Sequence, residues 1–258
     1  MEAENKILPD GSMNEVERIG DTVHRKINGP PMFHSYLLYL EQIGMPGVPR
    51  LLGIDGYGRE ILTFLPGKTM GPDYPSDHPC LHSDEAICDM AKFMRKLHDI
   101  SVGFVPVALE NGWKNPFFPD GPYETICHGD AAIWNFVFVD DKLAGLFDFD
   151  QSCPGTRAWD LTSTVFSAVG LVPYDYEPSL HAAQRKRQVK LFFDAYGMDV
   201  PADIMEMTAD RIQRDACDCM TQGVAAGDER RVKMVEDGAL VHYQKVVAHL
   251  KAHGHEWI

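Results

Sequence analysis

The chain has no C-x-x-C pair, no internal repeat, no low-complexity linker and no apolar run near the ~20 residues that a membrane-spanning helix requires. Its cysteines, Cys80, Cys88, Cys127, Cys153, Cys217 and Cys219, are scattered. Reduced thiols in a cytoplasmic protein are the expectation, and Cys217-x-Cys219 falls in a helical pattern that reads as packing. The opening Met-Glu-Ala-Glu-Asn-Lys has neither the basic stretch nor the apolar core of a signal peptide. Cations are scarce, with 24 Lys and Arg against 38 Asp and Glu and a net charge of −14. Such a surface repels a phosphate backbone, so nucleic acid is not an expected partner, and neither is a membrane. What remains is a globular chain of 258 residues, 45% hydrophobic, with room for one large domain or two lobes.

The most informative stretch is residues 126–150. It holds His128-Gly129-Asp130, then Asn135, then Asp148 at the end of an apolar run. Phe136 to Val139 is apolar and β-prone, Asp140-Asp141 is a turn signal, and Lys142 to Phe149 reads as the return strand. Such a hairpin brings Asp148 back beside Asn135. The pattern H-G-D-x-x-x-x-N followed by a second Asp is that of a kinase-type phosphoryl-transfer site. That chemistry leaves little covalent work for the protein; it needs positioning and charge neutralisation. Asp130 is expected to accept a hydrogen bond from an acceptor hydroxyl. Asn135 and Asp148 offer hard oxygens to a divalent cation, for which magnesium is the expected ion. A rival reading makes His128, Asp130, Asp148 and Asp150 the ligands of a metal hydrolase.

With Gly where protein kinases have Arg, the stretch resembles the aminoglycoside phosphotransferase and choline kinase family of small-molecule kinases. The front of the chain resembles a short-lobed subgroup of it, through Gly20-Asp21-Thr22-Val23-His24-Arg25, Pro49-Arg50-Leu51-Leu52-Gly53 and Leu62-Thr63-Phe64-Leu65-Pro66-Gly67. The resemblance implies an α+β, two-lobed, protein-kinase-like fold. Its short β-rich nucleotide lobe would span residues 1–65, and its mainly helical catalytic and substrate lobe residues 66–258. It implies ATP or GTP as co-substrate, with the backbone of Thr63 and Leu65 meeting the purine edge at the hinge. His128 and Asp160 are expected to brace the catalytic loop, Asp160 also capping a helix from Leu161 to Val169.

The front lobe has two departures from that family. No G-x-G-x-x-G precedes the first strands, so Asp10-Gly11-Ser12 is the candidate phosphate-covering turn. Strands Asn14–Ile19 and Thr22–Ile27 flank a Gly20-Asp21 turn. In the second of them Val23, Arg25 and Ile27 share one face and His24 and Lys26 the other, which points Arg25 at the phosphates where a Lys is usual. A helix from Met32 to Ile43, stopped by Gly44, carries only Glu41 as an acid, too near its C-terminal end to pair with Arg25. The usual strand–helix ion pair is therefore not expected.

Farther on, Ser83 is a good N-cap for an amphipathic helix with Ile87, Met90, Ala91, Met94 and Leu97 on its apolar face. Residues 180–258 read as two or three helices. Residues 71–151 hold 14 acidic and 5 basic side chains, a balance that would attract a cationic substrate. Asp150, Glu206 and Asp210 are the candidate substrate-side carboxylates. The leading expectation is phosphorylation of a hydroxyl on a small molecule such as a cationic, aminoglycoside-like antibiotic, with a role in antibiotic resistance. A nucleotide-binding pseudokinase or small-molecule sensor of the same fold is the alternative.

Overall fold

The computed structural model describes residues 5–7, 16–30, 32–71, 78–114, 118–176 and 181–258. Gly11 and Ser12 of the expected phosphate-covering turn lie outside them.

The front of the chain is one antiparallel sheet, formed by β1 (Asn5–Ile7), β2 (Val16–Ile19), β3 (Thr22–Arg25), β4 (Leu51–Ile54) and β5 (Glu60–Thr63), in the order β1-β2-β3-β5-β4. Gly20, at φ 62°, supplies the left-handed backbone of the two-residue β2–β3 turn. Helix α1 (Met32–Ile43) covers the sheet and stops at Gly44, φ 74°. Its Phe33, Tyr36, Leu37 and Leu40 are buried at helical spacing.

The remainder is mainly helical. Helix α2 (Asp84–Ser101) is the central post: the Ser83 side chain caps it by accepting from Ala86 N, and Ile87, Met90, Ala91, Met94 and Leu97 are fully buried. After α3 (Val105–Glu110), strands β6 (Thr125–Cys127) and β9 (Cys153–Gly155) pair around the hairpin of β7 (Phe136–Val139) and β8 (Lys142–Leu146). Helix α4 (Arg157–Val169) follows. The final third holds α5 (Ala182–Tyr196), α6 (Ile204–Ile212), a π-helical stretch (Gln213–Asp218), α7 (Cys219–Ala225), α8 (Glu229–Glu236) and α9 (Ala239–His253). No helix among the described residues is long and apolar enough to cross a membrane.

Several boundaries differ from expectation. The last third has five α-helices rather than two or three, because Gly197, Gly227 and Gly238, all at positive φ, break the pattern. The return strand β8 ends at Leu146, since Phe147 N bonds Asn135 O at 3.0 Å and Asp148 turns left-handed. Helix α4 begins at Arg157 and is capped by Thr156, which accepts from Trp159 N at 3.1 Å. Asp160 therefore lies inside its first turn and is not its cap.

Backbone bonds tie the front of the chain to the catalytic hairpin at two places among the described residues. Leu146 N bonds Gly47 O at 2.8 Å, and a side chain on Gly145 would strike that same oxygen. Beyond the end of β5, Lys68 and Phe138 exchange two backbone bonds of 2.8 Å. The chain leaving the sheet is thus tied to β7.

Candidate active site

The β7–β8 hairpin turns on Asp140 and Asp141, both left-handed at φ 49° and 61°. Two positive φ values match the right-handed twist of the strands. At the base of the hairpin Asn135 and Asp148 come together, as the sequence spacing requires. Asn135 Nδ2 donates to Asp130 O at 2.8 Å and to the Asp130 carboxylate at 3.0 Å. Its amide nitrogen being so used, Oδ1 is the atom left for a cation. Asp148 is held at φ 68°, ψ 57°, a conformation uncommon outside glycine and one that clusters at functional sites.

The loop carrying Asp130 is braced from below. His128 N and Gly129 N donate to the two carboxylate oxygens of Asp160, at 2.8 and 2.9 Å. His98 Nε2 donates to the same carboxylate at 2.9 Å, and its Nδ1 meets the Tyr196 hydroxyl at 2.8 Å. Burial alone would raise Asp160, but the His98 hydrogen bond and the charges around it hold its pKa down at about 2. His128 donates from Nε2 to Phe147 O at 2.9 Å and accepts at Nδ1 from Asp130 N at 3.1 Å. Both ring nitrogens are engaged and burial pushes its pKa down, so it holds the loop as a neutral ring. Its one lone pair, at Nδ1, is engaged by Asp130 N and the ring is fully buried, which argues against the ligand set of the hydrolase reading.

Sequence reasoning missed Arg211. This buried residue of α6 donates to Gly129 O, to Trp159 O at 3.0 Å and to Asp215 at 3.1 Å. Its signal was an arginine on the apolar stripe of Ile204, Thr208 and Ile212, where an unpaired charge is not tolerated. Burial pushes Asp130 up to about 7, with the Asp148 charge adding to it and the Arg211 guanidinium opposing. On the far side, burial and then the Asp130 charge raise the phenol of Tyr243 on α9.

Arg25 faces the site, and His24 faces away to meet Asp55 at 3.1 Å. Arg25 donates to Glu60 at 2.7 Å, to Asp148 at 2.6 Å and to Asp150. Burial would lower its pKa, but the charges of Asp150, Asp148 and Glu60 more than offset that. No acid of α1 pairs with Arg25, as expected, but the arginine is not left without a carboxylate. The partner is Glu60, directly opposite on β5 in the register Arg25↔Glu60. Helix α1 joins through His34, whose Nε2 lies 2.6 Å from the other Glu60 oxygen. Glu41, the acid of that helix, instead pairs with Arg50 at 3.6 Å on the surface.

Among the candidate substrate carboxylates, Asp150 sits on Arg25, on the sheet side. Burial pushes its pKa up and Arg25 opposes this. Glu206 and Asp210 are exposed on α6, and Asp210 reaches Lys251 at 3.6 Å. No hydrogen bond or ion pair among the described residues joins either of them to the catalytic loop. At the hinge the Thr63 amide already donates to Arg50 O at 3.0 Å. The Leu65 amide has no hydrogen bond among the described residues.

Arg25→Ala is expected to weaken magnesium-nucleotide binding by about tenfold or more, the loss of one charge-assisted contact. Lys26→Ala, exposed on the other face, should leave it nearly unchanged. Calorimetric titration checks this, and equal losses would mean that Arg25 does not meet the nucleotide.

Residues 108–202 match the model of a family described as "Phosphotransferase enzyme family". A curated relative is the "Trifolitoxin immunity protein" of Rhizobium leguminosarum bv. trifolii, 28% identical over 200 residues, spanning 74% of this chain and 73% of the relative. Among solved structures, the GDP complex of aminoglycoside 2'-phosphotransferase-IIIa superposes with a TM-score of 0.62 at 13% identity, covering 98% of this chain and 94% of that one. An ethanolamine kinase of Plasmodium vivax gives 0.60 at 12% identity, covering 97% and 81%. In fold, and in the segment that carries His128-Gly129-Asp130, Asn135 and Asp148, this chain resembles the aminoglycoside phosphotransferase and choline kinase-like small-molecule phosphotransferases.

Proposed function

We propose that the chain transfers the γ-phosphate of a magnesium-bound nucleotide to a hydroxyl of a small molecule. The observation that carries this reading is the convergence of Asp130, Asn135 and Asp148 with Arg25 at the base of one hairpin. Asp130, poised near neutrality and steadied by the Asn135 amide, accepts the hydrogen bond of the acceptor hydroxyl and takes its proton as the new bond forms. Arg25 spans from the sheet to the phosphates, with Glu60 fixing its orientation. Asp160 and Arg211 hold the loop so that Asp130 need not reorganise during transfer.

The donor set fits magnesium: a carboxylate that is 39% exposed at Asp148 and an amide oxygen at Asn135 are hard ligands. When bound there, the ion would neutralise charge on the phosphate oxygens. The GDP complexes among the similar structures support a nucleotide as co-substrate. The kanamycin complex of one neighbour and the immunity role in the relative's name keep toxins and aminoglycosides leading among acceptors. Amino alcohols stand beside them, through the ethanolamine kinase. The acidic surface suits a cationic member of these classes.

The test is a thermal-shift titration with ATP and GTP, with and without magnesium, followed by a phosphate-transfer screen over those acceptors. Nucleotide should raise the midpoint only with magnesium in the wild type, and Asp148→Asn should abolish the magnesium dependence. A magnesium-independent shift in the wild type, or the same dependence in Asp148→Asn, would remove the metal role from Asp148.

A further inference from the structure

Away from this site, three side chains of different chemistry converge where the hairpin tip meets the chain entering α2. A ring nitrogen of His78, Cys80 Sγ and a carboxylate oxygen of Asp141 all lie within 4.8 Å of one another. His78 Nδ1 is 3.1 Å from Cys80 Sγ, and Cys80 N donates to the same nitrogen at 3.3 Å, so the ring is folded back over the thiol. His78 and Cys80 are two residues apart in the sequence, but Asp141 arrives from the β7–β8 turn, where its backbone is left-handed. We propose that His78, Cys80 and Asp141 form a zinc site, separate from the nucleotide-metal site.

The donor chemistry selects the ion. A thiolate and an imidazole suit a borderline-soft cation such as Zn²⁺, which also accepts a carboxylate. Magnesium and calcium prefer all-oxygen shells and would not recruit Cys80. The distances are those of a site one small adjustment from closure. Tetrahedral zinc, with bonds of about 2.0–2.3 Å, separates its ligand atoms by about 3.3–3.6 Å. The His–Cys pair must open by a few tenths of an ångström and the carboxylate must close by about one. Zinc would take over the Nδ1 lone pair in place of the long 3.3 Å contact from Cys80 N, and the thiol would be bound as thiolate, its proton passing to solvent. The three residues are graded from a buried cysteine to an exposed aspartate, which gives the ion an entry path.

The location gives such an ion a consequence. The tip of the hairpin carries Asp141 and its base carries Asn135 and Asp148, while Lys68 pairs with Phe138 along its edge. Zinc would fasten the chain that enters α2 to the tip of the element that positions the catalytic residues. It would stabilise the hairpin without touching the reacting atoms.

The full-length chain, stripped with chelator and dialysed against zinc, should retain one zinc per molecule. Cobalt in its place should give a sulfur-to-metal charge-transfer band in the near ultraviolet. That band should vanish in Cys80→Ser. His78→Ala should weaken zinc by more than the 10–100-fold, roughly, that losing even an outer-shell partner costs, and Asp141→Asn by about tenfold or more. His78→Ala and Asp141→Asn alter partly or fully exposed side chains, so they remain informative if Cys80→Ser folds poorly. Asp148→Asn should keep the zinc. Zinc that survives both His78→Ala and Asp141→Asn, or cobalt without a thiolate band, would overturn the site. So would zinc lost in Asp148→Asn, which would place the ion with the nucleotide. Neither result bears on phosphoryl transfer, which rests on other residues.

Discussion

Asp130→Asn should lower phosphoryl transfer by about 10²–10⁴ while magnesium-nucleotide affinity stays within about threefold of wild type. The substitution is nearly isosteric. Its amide oxygen can still accept from Asn135 Nδ2, so the 3.0 Å contact that steadies residue 130 is preserved. What is lost is the ability to take a proton. Burial brings the Asp130 carboxylate to about 7, close to the pH at which it would work; Asp150 is raised as well, but its charge is taken up by Arg25. Asp148 and Asp150 are both on Arg25. Single-turnover measurement at saturating nucleotide separates transfer from binding. A variant that transfers at near wild-type rate would mean that Asp130 only shapes the loop. A variant that loses nucleotide affinity in proportion would move its role to the phosphate side.

The parts of this site that were legible in the sequence are the local ones. The hairpin could be read because an apolar run, two turn-forming aspartates and a second apolar run fall within a dozen residues, and pairing then forces Asn135 and Asp148 together. Helix α1 was bounded by Pro30-Pro31 and Gly44, and α2 by Ser83, because caps and breakers act within one turn. The direction of Arg25 followed from strand alternation alone. What was not legible depends on register or on distant packing. Glu60 pairs with Arg25 because β5 lies beside β3 in one register, and a shift of one residue would have turned Glu60 to the other face. His98, Asp160 and Tyr196 meet only when α2, α4 and α5 pack. Arg211 lies 81 residues beyond Asp130 in the chain. Asp160 was read as a brace of the loop, but its partners, like those of Glu60 and Arg211, had no sequence signal beyond one rule: a charged or polar residue in phase with an apolar stripe must have a partner. Glu206 and Asp210 were attractive for their charge, but their phase on α6 puts them among solvent.

Asp160→Asn should cost about 3–5 kcal/mol of stability at neutral pH, the usual price of breaking a buried charged network. The midpoint of thermal unfolding would fall on the order of 10 °C. Asp160 is fully buried and its two oxygens accept from His128 N, Gly129 N and His98 Nε2. An Asn can turn only one oxygen to these donors, so its amide nitrogen must face at least one N–H and leave it unsatisfied. The effect also has a pH signature. The folded-state pKa of Asp160 is lowered to about 2 from an ordinary 3.8. A carboxylate so lowered stabilises the fold above the unfolded pKa and loses that contribution as pH falls through the folded one. The gap between wild type and Asp160→Asn should therefore hold steady from neutrality to about pH 4 and narrow below it. Its titratable part is about 2 kcal/mol. Asn does not titrate, and every other carboxylate is common to both chains, so their difference isolates residue 160. Urea unfolding of the pair at stepped pH reads this directly. A gap that stays constant well below pH 4 would mean that Asp160 is held by packing and not as an ionised acceptor. No gap at neutral pH would mean that His98 and Arg211 support the loop without it.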